Sequence, residues 1–319
     1  MRGTGASGDL GRRRPIVLAA LVVGLVMAAP AVAAAAQRNV VPHISTSAPC
    51  GSLRTARPQI RHIILIVEEN HSYRQIIGRA PYITKLAGRC GLATRYKALS
   101  YPSLPNYIAM TSGRIPAAVA HRDCLPLAGC LTPAPNIFRR VHSWRVYAES
   151  MNHPCGRQNA GKYLPRHTAA PYYTVLRRSC LRKDVPLGKI GTGRLATALR
   201  RQSLPKFALV VPNATHDMHG GCVACGDRWL HMWMPAIIAS RPYQNGHTAV
   251  VITWDSDDGC CGNHIPTVVV SPYTKAGTRS RRRFNHYSLL RAIESALHVR
   301  YTGAAATTRH RGFAAAFHL

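Results

Sequence analysis

Apolar residues fall along this chain in short runs separated by polar turns, with helically spaced stretches between them. Ile60 to Val67 is a buried-strand run, followed by the polar turn Glu68-Glu69-Asn70. Tyr82 to Arg89 has the spacing of a helix closed by Gly91, and Thr94 to Leu99 predicts a second strand. A helix is expected from Ser103 to Gly113, then a Pro- and Cys-rich loop over 114–136. Trp144 to Ala148, Phe207 to Val211, Thr248 to Trp254 and Ile265 to Ser271 read as further strands. Helices are expected over Thr192 to Gln202, Trp229 to Ala239 and His286 to Leu297, with 150–190 irregular. This alternation predicts an α/β fold, a mostly parallel central sheet with helices on both faces. The main domain is expected over 59–302, after a tether at 37–58 and before a flexible Ala- and Arg-rich C-terminal tail at 303–319.

The first 36 residues have a different pattern. Arg12, Arg13 and Arg14 precede an apolar run from Ile16 to Met27, and Ala31-Val32-Ala33 supplies small residues. Residues 1–36 are therefore expected to be an export signal, leaving no stable membrane span once cleaved and a secreted or extracytoplasmic product. Cysteine usage agrees: there are 10, an even number, and disulfides are the default in an oxidising compartment. Cys124/Cys130 and Cys155/Cys180 are plausible local pairs, while zinc at Cys222-x-x-Cys225 or Cys260-Cys261 is the lesser reading.

Charge changes the picture further. In 319 residues, 42 Lys and Arg stand against 12 acids, a formal charge of +30. A surface this cationic attracts anionic partners, with cell-surface polymers and the cell wall among them. No nucleic-acid motif appears, so specific nucleic-acid binding is not expected. Because acids are scarce, their positions are informative. Six of the 12 lie in V-E-E-N (67–70), H-D-M-H (216–219) and D-S-D-D (255–258), each just after an apolar strand. Ligands of open α/β sheets bind at the carboxyl ends of strands, so the three turns would gather there. Carboxylates brought together repel unless a cation joins them, which predicts a divalent metal ion of unspecified identity. Glu69, Asp217, Asp255 and Asp257 are the acidic candidates, and His219 and His264 add imidazoles. Ser103, in Tyr101-Pro-Ser-Leu-Pro-Asn106, begins a helix and is the candidate nucleophile. Asn106, one turn on, is the candidate partner for a phosphoryl oxygen.

These segments resemble the bacterial phosphoesterase family, of acid phosphatase and phospholipase C type, within the alkaline-phosphatase-like superfamily. The resemblance is carried by I-R-H-I-I-L-I-V-E-E-N-H-S-Y (60–73), S-L-P-N-Y-I-A-M-T-S-G (103–113), V-Y-A-E-S-M (146–151), V-P-N-A-T-H-D-M-H (211–219), I-T-W-D (252–255) and N-H-I-P-T-V-V-V-S-P (263–272), in family order. It implies Glu69 and Asn70 as metal ligands, with Ser103 as nucleophile and ligand. Asp217, His219 and Asp255 would complete the metal or phosphate site, His264 would be ligand or acid, and His167 would touch substrate. One departure is clear: Ser256 stands where the family commonly has a second acid, and Asp257 or Asp258 would have to replace it. The implied chemistry is hydrolysis of a phosphate monoester through a phosphoserine, with His219, His264 or His167 protonating the leaving alcohol. A phospholipase C or other phosphodiesterase is the alternative within that chemistry. A cationic, non-catalytic binding protein for anionic polymers is the alternative outside it.

Overall fold

The computed structural model describes residues 43–319. The expected export signal and residues 37–42 of the expected tether lie outside this range. Nine strands form one sheet: β1 (His62–Glu68), β2 (Gly91–Lys97), β3 (Trp144–Ala148), β4 (Asp184–Pro186), β5 (Phe207–Val211), β6 (Thr248–Trp254), β7 (His264–Val270), β8 (Arg279–Ser280) and β9 (Phe284–Asn285). Their order is β4-β3-β5-β1-β6-β7-β2-β8, with β9 also on β2. Every pairing is parallel except the two made by β7, against β6 and β2. The expected α/β class and mostly parallel sheet are thus observed.

The sheet's centre follows directly from composition. β1 (HIILIVE) is sealed from Ile63 to Glu68, and every residue of β6 (TAVVITW) is buried. Strands buried on both faces have no polar side to alternate with, so they read as unbroken apolar runs. The helices are α1 (Tyr73–Ile76), α2 (Pro81–Arg89), α3 (Ser103–Ser112), α4 (Ile137–Val141), α5 (Arg177–Lys183), α6 (Arg194–Arg200), α7 (Val223–Ile238), α8 (Arg241–Gln244), α9 (His286–Ala296) and α10 (Phe313–Phe317). They pack in two groups: α7 against α2, α6 and α8, and α9 against α3 and α10.

Two expectations at the edges of the domain are corrected. Residues 303–319 are not a frayed tail. Phe313 and Phe317 are buried one helical turn apart, against Phe284 and, for Phe313, against Tyr96. Burying two Phe side chains is worth roughly 1.5–3 kcal/mol each, enough to hold a short helix that Ala propensity alone would not. The part of the tether from 43 to 58 is likewise anchored: Ile44 is buried, Cys50 is bridged to Cys90, and the Tyr243 hydroxyl donates to the Pro49 carbonyl at 2.9 Å. The remaining bridges are Cys124–Cys130, Cys155–Cys180, Cys222–Cys225 and Cys260–Cys261. The two local pairs match expectation. Bridging at Cys222–Cys225 and Cys260–Cys261 removes the thiolates that zinc would need.

Candidate active site

Because β1, β5 and β6 run parallel, the turns that follow them emerge at one end of the sheet. Backbone hydrogen bonds tie these turns together: Glu69 N–H donates to the Asp217 carbonyl at 2.8 Å, and Asp255 N–H to the Glu68 carbonyl at 3.0 Å. Asn70 sits at φ +38°, a left-handed conformation that Asn tolerates better than most residues. That bend lets its N–H donate to Asp255 Oδ1 at 3.1 Å and its side-chain amide to Ser256 Oγ at 2.8 Å. Gly226 of α7 fixes the third turn. A Cβ there would stand 2.5 Å from Met218 Cγ and 2.6 Å from the His216 carbonyl, so only Gly lets α7 press against the loop that carries Asp217.

Ser103 opens α3 and faces this cluster. Its hydroxyl donates to Glu69 Oε2 at 2.8 Å, and the Tyr107 hydroxyl, one turn along the same helix face, donates to Glu69 Oε1 at 2.7 Å. His167 stacks on Tyr107 with ring centroids 5.4 Å apart, its Nε2 3.3 Å from Glu69 Oε1 and its Nδ1 3.9 Å from Asp217 Oδ2. His219 Nδ1 donates to Asn70 Oδ1 and lies 4.0 Å from Glu69 Oε2, while more than half of the side chain remains open to solvent. Glu69, Asn70, Ser103, His167, Asp217, His219 and Asp255 are therefore one constellation, drawn from five separate segments.

Its electrostatics are those of an anionic pocket short of positive charge. Burial, followed by the charges of Asp255 and Asp217, pushes the Glu69 carboxyl well above its usual range. Burial pushes Asp255 up to about 7 and Asp217 up to about 6. Burial and the nearby Arg166 cation hold His167 well below the ordinary histidine value, so it is neutral. Asp217 Oδ2 and His167 Nε2 are buried and accept or donate no hydrogen bond. Buried polar atoms normally find partners, and two unpartnered ones facing three carboxylates fit a cation site in donor type and in charge. Among the described residues, the triads whose donor atoms come within 4.8 Å of one another are Cys155/Cys180/Asp184 and Asp257/Cys260/Cys261, all of whose cysteines are bridged. The Glu69, Asp217 and Asp255 carboxylates are spaced more widely than that.

Three expected site residues take other places. Asn106 is fully buried, and its amide is consumed by the loop before α3: it accepts from Leu99 and Ser100 N–H at 3.1 Å each, and donates to the Ser100 and Pro102 carbonyls at 2.8 and 3.2 Å. It has no N–H left for a phosphoryl oxygen. Asp257 accepts from the N–H groups of Gly259, Cys261 and Asn263 and from the Tyr101 hydroxyl. It organises the turn and does not replace the acid missing at Ser256, whose hydroxyl donates to Asp255 Oδ2 at 3.3 Å. His264, opening β7, points its Nε2 at the Thr94 carbonyl at 3.0 Å and stacks on Tyr73, away from the carboxylates.

Sequence reasoning missed four contributors. Tyr107 is one turn from Ser103, and the helical period was the available signal. Asp123 accepts from Leu104 N–H at 2.8 Å, occupying an amide at the start of α3, and pairs with Arg166 at 3.3 Å. Arg166, adjacent to His167, bears electrostatically on Asp217, His167 and His219. His286 is sealed in the core. Its Nε2 donates to the Asp255 carbonyl at 2.7 Å while the Tyr96 hydroxyl donates to its Nδ1 at 3.1 Å, and burial drives it down to about 4, so it is neutral and positions Asp255 through its backbone.

In sequence and in fold this chain is similar to known proteins. A model of the phosphoesterase family matches residues 78–300. The chain belongs to the phosphoesterase family. It is a hydrolase acting on phosphoric ester bonds. A phosphatidylinositol-3-phosphatase of Mycobacterium tuberculosis is 29% identical over 263 residues, 79% of this chain and 82% of that one. A phosphate-repressible acid phosphatase of Penicillium chrysogenum is 24% identical over 226 residues, and an acid phosphatase of Aspergillus fumigatus is 24% identical over 230. The alignments span 53% and 49% of those fungal chains, about half their length. Among solved structures, a protein of the alkaline phosphatase superfamily from Vibrio parahaemolyticus superposes with a TM-score of 0.55 at 14% identity, over 81% of this chain and 72% of that one, a likeness of fold. Among the described residues no helix is long and apolar enough to cross a membrane.

Proposed function

We propose that this phosphoesterase is an exported, metal-dependent phosphatase that hydrolyses phosphate monoesters through a covalent phosphoserine at Ser103. The observation that carries the reading is the Ser103 hydroxyl, buried at the start of α3 and bonded to Glu69 inside a desolvated carboxylate cluster. The mycobacterial and fungal relatives are all named as phosphatases, which favours a monoester substrate here. Five disulfides are consistent with export.

Glu69, Asn70, Asp217 and Asp255 would hold the cation, with Ser103 and His219 beside it. A divalent ion in that position supplies positive charge that offsets the carboxylates and favours the serine alkoxide. The chain's own groups do the rest. Glu69 orients the Ser103 Oγ–H and takes up its proton as Oγ attacks phosphorus. Tyr107 fixes the other Glu69 oxygen, so the carboxylate cannot rotate away. Arg166 offers guanidinium N–H groups to the phosphoryl oxygens, in the role that Asn106 cannot fill. His219 stands half in solvent with Nδ1 engaged by Asn70, which leaves Nε2 to protonate the departing alcohol. Burial and Arg166 depress its basicity in the free enzyme, and a bound dianion reverses that effect.

The test is acid quenching during turnover of 4-nitrophenyl phosphate, followed by mass spectrometry of the peptide containing Ser103. A phosphate adduct on Ser103, lost when chelator is present, is expected. Turnover without any adduct, or a faster reaction on bis(4-nitrophenyl) phosphate than on the monoester, would overturn the monoesterase reading.

A further inference from the structure

His264, expected at the reacting centre, lies instead in the wall of a separate cavity of about 730 Å³, on the β2 side of the sheet end. This size lies within the roughly 300–1,000 Å³ typical of small-ligand sites. The cavity is lined by Arg95, Lys97, Arg283, Arg309, His264 and His310, and no acidic residue lines it. Among the described residues, none of its four fixed cations takes part in an ion pair. In a chain so rich in Arg, cations scattered over convex surface would mean little. Here they converge on a concavity from β2, the β8–β9 connection and the C-terminal segment, three regions distant in sequence. One-signed clefts focus field lines, and four cations held together repel one another until an anion enters. Burial, then the charges of Arg309 and of Arg291 outside the cavity, hold His310 below its ordinary value.

The cavity is connected to the chemistry through the backbone. Leu99 lines it, and Ser103 is four residues further on. Even fully extended, four residues span no more than about 14 Å. Asn106 clamps the N–H groups of Leu99 and Ser100, so the loop joining the two places is rigid. Asn263 adds a hydrogen bond to the Ser100 carbonyl at 3.0 Å from the neighbouring turn.

We propose that this cavity binds a second phosphate group of the substrate, so that the enzyme prefers phosphate monoesters whose alcohol already carries another phosphate. The inference rests on the monoesterase reading and narrows it. A second phosphate on a soluble sugar and the phosphodiester of a lipid headgroup present the same anionic oxygens, and either fits a wall of guanidinium and ammonium groups. Arg283 and Arg309 grip that group while the ester to be cleaved reaches Ser103.

The experiment compares KM and kcat for fructose 6-phosphate, fructose 1,6-bisphosphate, short-chain phosphatidylinositol 3-phosphate and 4-nitrophenyl phosphate. It uses the wild type, the double variant Arg283→Ser/Arg309→Ser and, should that fold poorly, the single variant Arg95→Ser. Charged hydrogen bonds of this kind predict a KM about tenfold lower for a doubly phosphorylated substrate than for fructose 6-phosphate, an advantage lost in the variants while kcat and the 4-nitrophenyl phosphate constants hold. An advantage for the sugar bisphosphate assigns a soluble ligand, and one confined to the lipid assigns a headgroup. Equal KM values, or an advantage that survives the substitutions, would overturn the proposal and leave the monoesterase reading intact. If no monoester is turned over, calorimetry on Ser103→Ala still decides the matter: tighter binding of fructose 1,6-bisphosphate than of fructose 6-phosphate, abolished by Arg283→Ser/Arg309→Ser, supports the cavity, and equal binding refutes it.

Discussion

Two polar regions lie side by side at the carboxyl end of the sheet, and they differ in how far their hydrogen-bonding capacity is used up. In the loop network of Ser100, Asn106, Asp257 and Asn263, donors and acceptors are matched within the protein: Asn106 makes four hydrogen bonds and Asp257 accepts from four groups. In the neighbouring cluster of Glu69, His167, Asp217 and Asp255, acids crowd acids, Asp217 Oδ2 and His167 Nε2 have no partner, and burial keeps water from compensating. Both regions lie in motif segments, and residue type alone does not separate them. Saturated polar groups hold a shape. Groups left short of partners store an interaction for something that arrives later, here a cation and a phosphoryl group.

The largest effect expected from this contrast is at Ser103. Ser103→Ala should lower kcat by at least about 10³-fold, as removing a covalent nucleophile does, while the far-ultraviolet spectrum and melting temperature stay close to wild type. Turnover at the wild-type rate would take Ser103 out of the reaction. Asp255→Asn comes next. Bound metal measured by elemental analysis should be lost along with activity, yet the chelated variant should melt higher than chelated wild type, because one of three mutually repelling carboxylates is gone. A chelated variant less stable than wild type would mean that Asp255 acts as structure.

The saturated network predicts the opposite pattern. Asn106→Ala removes four buried hydrogen bonds and should destabilise by roughly 2–4 kcal/mol, read by urea unfolding, with metal content unchanged. Metal loss without a loss of stability would place Asn106 in the reacting cluster after all.

Much of this arrangement was legible in the sequence, for physical reasons that can be named. The strands at 144–148, 207–211 and 248–254 are mostly apolar, broken only by Arg145, Thr248 and Thr253, because they lie in the covered sheet, and their boundaries are observed where expected. The acidic turns were conspicuous because the chain has so few acids to place. What stayed hidden is whatever depends on partners distant in sequence. Asp184–Pro186 forms a strand only because β3 offers it an edge, and α10 exists only because Tyr96 and Phe284 receive its phenylalanines. Asn106 and Asp257 match the expected chemistry in residue type, and only the loop around them shows that their capacity is spent.

A smaller effect should appear in the dependence of stability on pH. Glu69, Asp217 and Asp255 are held above their unfolded values, so the folded state keeps protons that the unfolded state releases. Stability present in acid is therefore lost as pH rises from about 4 through about 6 and about 7, the values for Asp217 and Asp255. His286, held down at about 4, acts in the other direction and costs stability as pH falls below the ordinary histidine range. A cation relieves only the carboxylates. The melting-temperature gap between metal-loaded and chelated protein should therefore widen from pH 4 to pH 7, and a gap that is flat or narrows would contradict a three-carboxylate cation site.

The finest test sets Glu68 against Glu69, two identical side chains one residue apart. Glu68 ends β1 and Glu69 opens the turn after it, so the two side chains meet different environments. Glu69 meets Ser103, Tyr107 and the cation-seeking cluster. Glu68 is fully buried with no hydrogen-bond partner on either oxygen, and burial, followed by the charges of Asp217, Glu149 and Asp227, drives its carboxyl well above the usual range. That shift favours the protonated, uncharged form of the carboxyl. Glu68→Gln mimics that uncharged form in shape, and should change stability by less than about 1 kcal/mol and leave activity near wild type. Glu69→Gln should abolish activity, because the amide can neither take up the Ser103 proton nor offset a cation. Equal damage from both substitutions would show Glu68 to be charged, and the cation site would then have to extend to it.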